Sequence, residues 1–439
     1  MNISLFIILI LLFLINYLLF NGDYISPSVI VVFMFIVAYS FTLINHDIWS
    51  VDLSVQTVFF ICFALIEFTI IGLFCRQLYA KSSGSHYLFS GTIHLNTAVC
   101  VAFLIACAVV TILVFLNIRN FGIVNGAADN FSSMTETYRL YTSYGQESAL
   151  PGWLSQLTKL ITVCTYVFPV IGMNNISKTH SISFKDLISF AFLPIYIIYC
   201  ITTSNRLAIL QLVASLVVAY LLVRYPIGSR RFSGFGTLIK LLVCFIIILC
   251  LFYAVRLLVG RTSSFSEGSS IFEYLSVYIG APIKLFDLYL ADPVISDIPG
   301  KETFISLLGN LKELNLIDFN DYIVHKEFRT VNGVILGNVY TAFRSWYADF
   351  GIFGIFILTG LFSAFFNTIF YHIQFRSMSI FKTLFLFIVY IYLVPSVFLL
   401  PIDDYFFKYT VCSGFIVYLF LFFLILRLSI SVLRSIHNA

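Results

Sequence analysis

Seven arginines, Arg119, Arg139, Arg206, Arg256, Arg261, Arg329 and Arg344, stand in polar segments between long apolar runs, several of them close to a run's end. A guanidinium keeps its proton at any ordinary pH and presents a planar fork of donors that matches phosphate oxygens two at a time. Such groups at a membrane boundary suit the head of a lipid diphosphate, and enough of them hold it without a metal ion. Arg206 has its depth set by the turn Thr203-Ser204-Asn205-Arg206, which joins two apolar runs with almost no loop. An arginine at a helix end also snorkels to headgroups with no ligand at all, and one of Arg256 and Arg261 fits that simpler role. Proton-transfer candidates are His325, Glu327 and Asp349. Asp403-Asp404 reads as two solvated acids in a turn, and Glu67, the one acid in the middle of an apolar run, as a carboxyl bonded to a neighbouring helix or a proton relay.

Motifs of soluble catalysis are missing. The chain has no GxxxxGK[ST], no GxGxxG after a strand, no HExxH and no GxSxG, which argues against a nucleotide-driven pump or a zinc hydrolase. No cofactor and no metal is expected. The nine cysteines lie inside or at the ends of apolar runs with no CxxC, as small core residues do.

The elements that must position these groups are helices in a membrane. Hydrophobic residues make up 60% of the 439 positions and charged ones 10%, too little polar surface for a soluble fold. Crossing about 30 Å of hydrocarbon takes roughly 20 residues of helix. Eleven runs qualify: 2–20, 27–44, 55–75, 94–118, 154–173, 187–203, 207–223, 237–258, 350–372, 383–400 and 411–426. The first lacks a basic leader and a cleavage motif and reads as a retained helix.

Charge sets the orientation. With the N-terminus outside, the inward segments hold Arg76, Lys81, Lys178, Lys185, Arg224, Arg230, Arg231, Lys240, Arg376, Lys382, Arg427 and Arg434. The short outward segments hold only Arg119, Arg139, Lys159, Arg206 and Lys408, and every acid except Asp23, Glu67 and Asp186 faces outward. That is the positive-inside bias, with the C-terminus inside.

Two outward loops, 119–153 and 259–349, carry most of the remaining sequence. Ser133 with Glu136, and Ser270 with Glu273, have capping-box spacing and predict short helices. The stripe Ile271, Leu275, Tyr278, Ile279, Pro282, Phe286, Tyr289 predicts a helix across the bundle mouth, bent near Pro282, and Phe304 to Leu314 another. No repeat or linker divides the chain, so residues 1–439 read as a single all-α polytopic membrane domain of about 11 transmembrane helices with a helical outer cap.

The segment Gly337-Asn338-Val339-Tyr340-Thr341-Ala342-Phe343-Arg344-Ser345-Trp346-Tyr347-Ala348-Asp349-Phe350-Gly351 resembles the N-[VT]-Y-T-x-F-R-x-x-Y-x-D-[FY]-G segment of Wzy-type O-antigen and oligosaccharide repeat-unit polymerases. The layout is similar too: a proline-initiated second run, an arginine in a short outer turn and one large late outer loop. The resemblance implies a glycosyltransferase of the bacterial inner membrane, with its site facing the periplasm. It would move a growing glycan from undecaprenyl diphosphate to the non-reducing end of a new lipid-linked repeat unit. Arg344 would ligate the diphosphate, with Asn338, Tyr340 and Tyr347 beside it and Asp349 capping the next helix or orienting Arg344. Arg206 would match the arginine of the short turn. From the outer-arginine reading itself, Arg261 joins Arg206 and Arg344 as a catalytic candidate, and Arg139, Arg256 and Arg329 are candidate substrate contacts. An Arg-x10-Gly spacing found in some members is not met here. A chain-length regulator and a flippase are the partners implied, and no nucleic acid. O-antigen ligase shares the donor chemistry, and a flippase or other transporter is the alternative of a different class.

Overall fold

The computed structural model describes residues 2–80, 88–144, 150–227, 229, 271–317 and 326–430. It is helical throughout apart from one two-stranded hairpin. In chain order the helices are α1 (Asn2–Leu19), α2 (Pro27–Ile44), α3 (Val55–Ala80), α4 (Thr97–Val124), α5 (Phe131–Tyr144), α6 (Gly152–Thr179), α7 (Phe184–Phe190), α8 (Phe192–Thr202), α9 (Arg206–Arg224), α10 (Ile271–Ile279), α11 (Ala281–Ala291) and α12 (Ile305–Glu313). After strands β1 (Arg329–Val331) and β2 (Val334–Gly337) come α13 (Ala342–Phe375), α14 (Ile380–Leu393), α15 (Pro395–Leu399), α16 (Phe407–Thr410) and α17 (Ser413–Ser429).

Among the described residues, 8 helices are long and apolar enough to cross a membrane, counting α7–α8 and α14–α15 as one each, which supports a multi-pass membrane protein. Two of the remaining predicted runs are the shorter apolar helices Ile3–Leu19 and Ser413–Ser429. The run 237–258 lies outside the described residues. Helices are the expected solution, because in lipid each backbone N–H and C=O must find its partner within the segment. Prolines set two of the breaks: Pro194 has no N–H to offer the Phe190 carbonyl, and Pro395 none for Ile391, so the chain restarts at Phe192 and Pro395.

Two packed groups make up the bundle. Helices α1, α2, α3 and α13 form one, with α13 running along α3; α4, α6, α8, α9 and α17 form the other, and α14 touches both. The α3–α13 seam is built on small and polar groups: Ser363 donates to the Phe68 carbonyl (2.8 Å), and a Cβ on Gly72 would fall on Ser28. Such seams are how helices associate where lipid offers no hydrophobic drive.

Loops read as outward meet at one end. The 48–57 loop bonds to α11 and to the hairpin, and the 400–408 turn bonds to the start of α13. Loops read as inward meet at the other, where Asn174 bonds to Gly91, Asn175 to Ile93, and Asn96 to Ser429. The cap helix predicted to bend near Pro282 is α10 and α11, parted at Gly280, whose missing side chain lets it lie against the backbone of Phe41 and Thr42. One local expectation is corrected. Ser133 is inside α5, not its cap: Asn130 accepts from the Ser133 amide (2.9 Å), while the Ser133 hydroxyl accepts from the Ala128 amide (3.0 Å). Ser270 lies outside the described residues.

Candidate functional site

The largest group of buried charges sits where α13 begins. Helix α13 is two helices: Gly351, at φ 61° and ψ −148°, breaks it after a first piece of nine residues, 342–350. This short piece carries Phe343, Arg344, Trp346 and Ala348, all buried, into the space under α11 and the hairpin. Its start is tied to the 400–408 turn by the Ala342 amide on the Leu400 carbonyl (3.1 Å). Trp346 ties the same two segments, its indole N–H donating to Asp404 Oδ2 (2.8 Å).

Arg344 is 4% exposed. Its guanidinium sits in the corner of two nearly perpendicular rings, 4.6 Å from the centre of Tyr289 on α11 and 5.2 Å from that of Tyr340. Faces of this kind attract a cation and exclude water from it. Two carboxylates complete the shell: Arg344 donates through Nη1 to Glu302 and through Nη2 to Glu327 (2.8 Å). Burial alone pushes the Glu327 carboxyl up; Arg344, with Arg329 behind it, more than offsets this and holds it below the ordinary glutamate range.

Asp349 acts one step back. Its oxygens accept from the backbone amides of Glu302 (3.1 and 3.2 Å) and Thr303 (2.6 Å), which fixes the turn that offers Glu302 to Arg344. Asp349 thus reaches Arg344 by way of Glu302, with no direct bond between the two side chains among the described contacts. Arg329, on β1, donates to the Leu288 carbonyl (2.8 Å) and to Glu327 Oε1 (3.4 Å). The Tyr340 hydroxyl donates to the Glu327 carbonyl (3.1 Å), and the Tyr347 ring packs on Tyr289 and Phe60. Asn338 is half-buried directly after β2.

Beside this lies a second set of charges. Asp403 Oδ1 accepts from Lys326 Nζ (3.2 Å) and Lys408 Nζ (2.7 Å), and Lys326 also faces the Tyr340 ring. Burial pushes the Lys326 ammonium down to about 8 against the pull of Asp403. The Asp403-Asp404 pair is thus not two solvated acids: Asp404 is 1% exposed, and its Oδ1 accepts from the amides of Phe406 and Phe407. Burial raises the Asp404 carboxyl to about 6, from 3.8.

A folded-state value above the unfolded one means the native protein binds more protons in that window, so this group's contribution to stability falls as pH rises from about 4 to about 6. Asp404→Asn keeps the acceptor for the Phe406 and Phe407 amides, gives up the one for Trp346 at a cost that does not vary with pH, and removes the titration. The expected result is a variant whose stability relative to wild type increases by on the order of 2 kcal/mol from pH 4 to pH 6.5. Thermal unfolding in detergent at matched pH checks it, and parallel pH curves for the two proteins would refute it.

The other predicted residues divide clearly. Arg206 is buried, donates to the Tyr274 hydroxyl on α10 (2.7 Å) and begins α9, where Asn205 is the cap. The turn that carries it touches α5 through Ser204 and the Thr135 carbonyl, and α5 also bears Arg139, 3.7 Å from Glu136. Arg206 and Arg344 are therefore joined through consecutive cap helices, Arg206 to α10 and Arg344 to α11. Arg119 pairs with Asp129 (3.3 Å). Glu67 packs against α13 at Gly360. Arg256, Arg261 and His325 lie outside the described residues.

Sequence reasoning missed Glu302 and the hairpin. Nothing near Glu302 marks it. The hairpin did have a signal: Asn332-Gly333 between Thr330-Val331 and Val334-Ile335, with φ of 50° and 77°, is the two-residue turn that matches strand twist. No protein-family model, curated protein or solved structure matches the chain.

Proposed function

We propose that this protein is a repeat-unit polymerase that joins lipid-linked oligosaccharides at the outer face of the bacterial inner membrane. The observation that carries the reading is Arg344, buried against the rings of Tyr289 and Tyr340 at the end of the bundle where the outer loops gather, on the segment that resembles the polymerase motif. In the reaction, a hydroxyl oxygen of the acceptor sugar bonds to the anomeric carbon of the donor. The bond from that carbon to the diphosphate oxygen breaks, and its electron pair leaves with undecaprenyl diphosphate. Arg344, with Lys326, Lys408 and Arg206 as further cations at this end, stabilises the leaving charge. The acceptor hydroxyl's proton passes to a carboxylate. Glu327 is the better placed base, because its side chain is 38% exposed, whereas Asp349 is buried with both oxygens on backbone amides. A phosphate-activated donor is a good electrophile already, so no nucleotide is required.

The test is the surface-polysaccharide ladder of a deletion strain complemented with wild type or Arg206→Ala, with expression of each verified. A polymerase leaves core bearing a single repeat when deleted, wild type restores the ladder, and Arg206→Ala restores it poorly. Bare core with polymer left on its carrier lipid would instead make the protein a ligase. Repeats trapped on the inner leaflet would make it a transporter.

A further inference from the structure

Each described cation around Arg344 already has a carboxylate: Arg344 has Glu302 and Glu327, Arg329 has Glu327, and Lys326 and Lys408 share Asp403. A diphosphate can take the guanidinium only by displacing one of these anions. They are not equally displaceable. Glu302 is held from behind by Asp349, and Asp403 is gripped by two lysines, with its side chain 19% exposed. Glu327 is 38% exposed, its carboxylate is held by Arg344 and Arg329 with the Tyr340 hydroxyl beside it, and it precedes a hairpin whose strands, among the described residues, pair only with each other.

An isolated two-stranded ribbon is marginal by itself. Beyond its buried Leu336, the segment is kept down at its base by Lys326 Nζ on Asp403 Oδ1 (3.2 Å), the Tyr340 hydroxyl on the Glu327 carbonyl (3.1 Å) and Arg329 on the Leu288 carbonyl, and at the tip by Asn332 Nδ2 on the Ile48 carbonyl (3.1 Å) and on Ser50 Oγ (2.8 Å). From this we infer that residues 326–337 form a lid, in which Glu327 occupies the seat of the ligand's phosphate on Arg344 and Asn332 latches the closed state to the 48–50 loop. Ligand binding releases Glu327 from Arg344, which also frees a carboxylate beside the reacting centre. The inference rests on the proposed diphosphate chemistry of Arg344.

The experiment locks the latch. In full-length protein in detergent, Asn332→Cys with Ser50→Cys is oxidised, each single-cysteine variant serving as control, and binding of inorganic pyrophosphate is followed by calorimetry. The expected result is at least a ten-fold loss of affinity in the cross-linked protein, recovered on reduction, and several-fold tighter binding by Glu327→Gln. Failure of the cross-link to form, or equal binding by the locked and reduced forms, overturns the lid and leaves the function untouched. If the reduced and wild-type proteins also ignore pyrophosphate, the premise about Arg344 fails with it, which the polysaccharide ladder then confirms or contradicts independently.

Discussion

Arg344→Ala is expected to abolish polymer formation and to lower stability by about 2–4 kcal/mol, the lower part of the cost of removing one partner from a buried ion pair. The change leaves Glu302 and Glu327 facing each other across the vacated space beside Tyr289 and Tyr340, without the charge that holds both. Their side chains are 22% and 38% exposed, so water relieves part of the penalty. Arg344→Lys separates charge from shape. An ammonium cannot donate to Glu302 and Glu327 as a planar fork, so this variant should recover most of the stability and little of the activity. The ladder, read beside the apparent melting temperature in detergent, decides: a full ladder from well-folded Arg344→Ala would remove Arg344 from the chemistry altogether.

The second large effect is expected at the break in α13. Gly351 has a backbone conformation essentially reserved for glycine, so Gly351→Ala should cost about 1–3 kcal/mol. Gly354 is more constrained: a Cβ there would fall on the Trp346 carbonyl oxygen, because the helix after the break packs directly on the piece before it. Relieving that overlap means moving Trp346, which draws its indole from Asp404 and swings Arg344 on the same two turns. Gly354→Val should therefore lose both folded protein and polymer, whereas Gly360→Ala, beyond the break and facing the ends of the Glu67 and Ile71 side chains, should be mild. Comparing membrane-extracted monodisperse protein and ladder length for the three variants tests this. Normal yield and normal ladders from Gly354→Val would mean that the break does not position the site.

Much of the architecture was legible without coordinates because lipid imposes a simple condition. A segment that must satisfy its own backbone hydrogen bonds over about 30 Å has to be a long apolar helix, and such runs stand out in the chain. The bend of the cap at Pro282 followed from a missing N–H, and the grouping of Arg329, Tyr340, Arg344, Tyr347 and Asp349 from their nearness in one segment. Local hydrogen bonding was read less well. Asn130 caps α5 in place of Ser133, since its carbonyl oxygen lies one turn nearer the true start.

What the sequence by itself determined is thus the number and placement of apolar runs, the sorting of charge between their ends, and the segment in which Arg344 stands. Only the tertiary structure decided what surrounds that arginine. Glu302 lies 42 residues before it and Asp403, the shared partner of two lysines, 77 residues after Lys326. No local pattern ties a surface-looking acid to a cation so far away. The pairing arises because packing α11, the hairpin and the 400–408 turn against the short start of α13 withdraws these charges from water, and buried charges must then find each other.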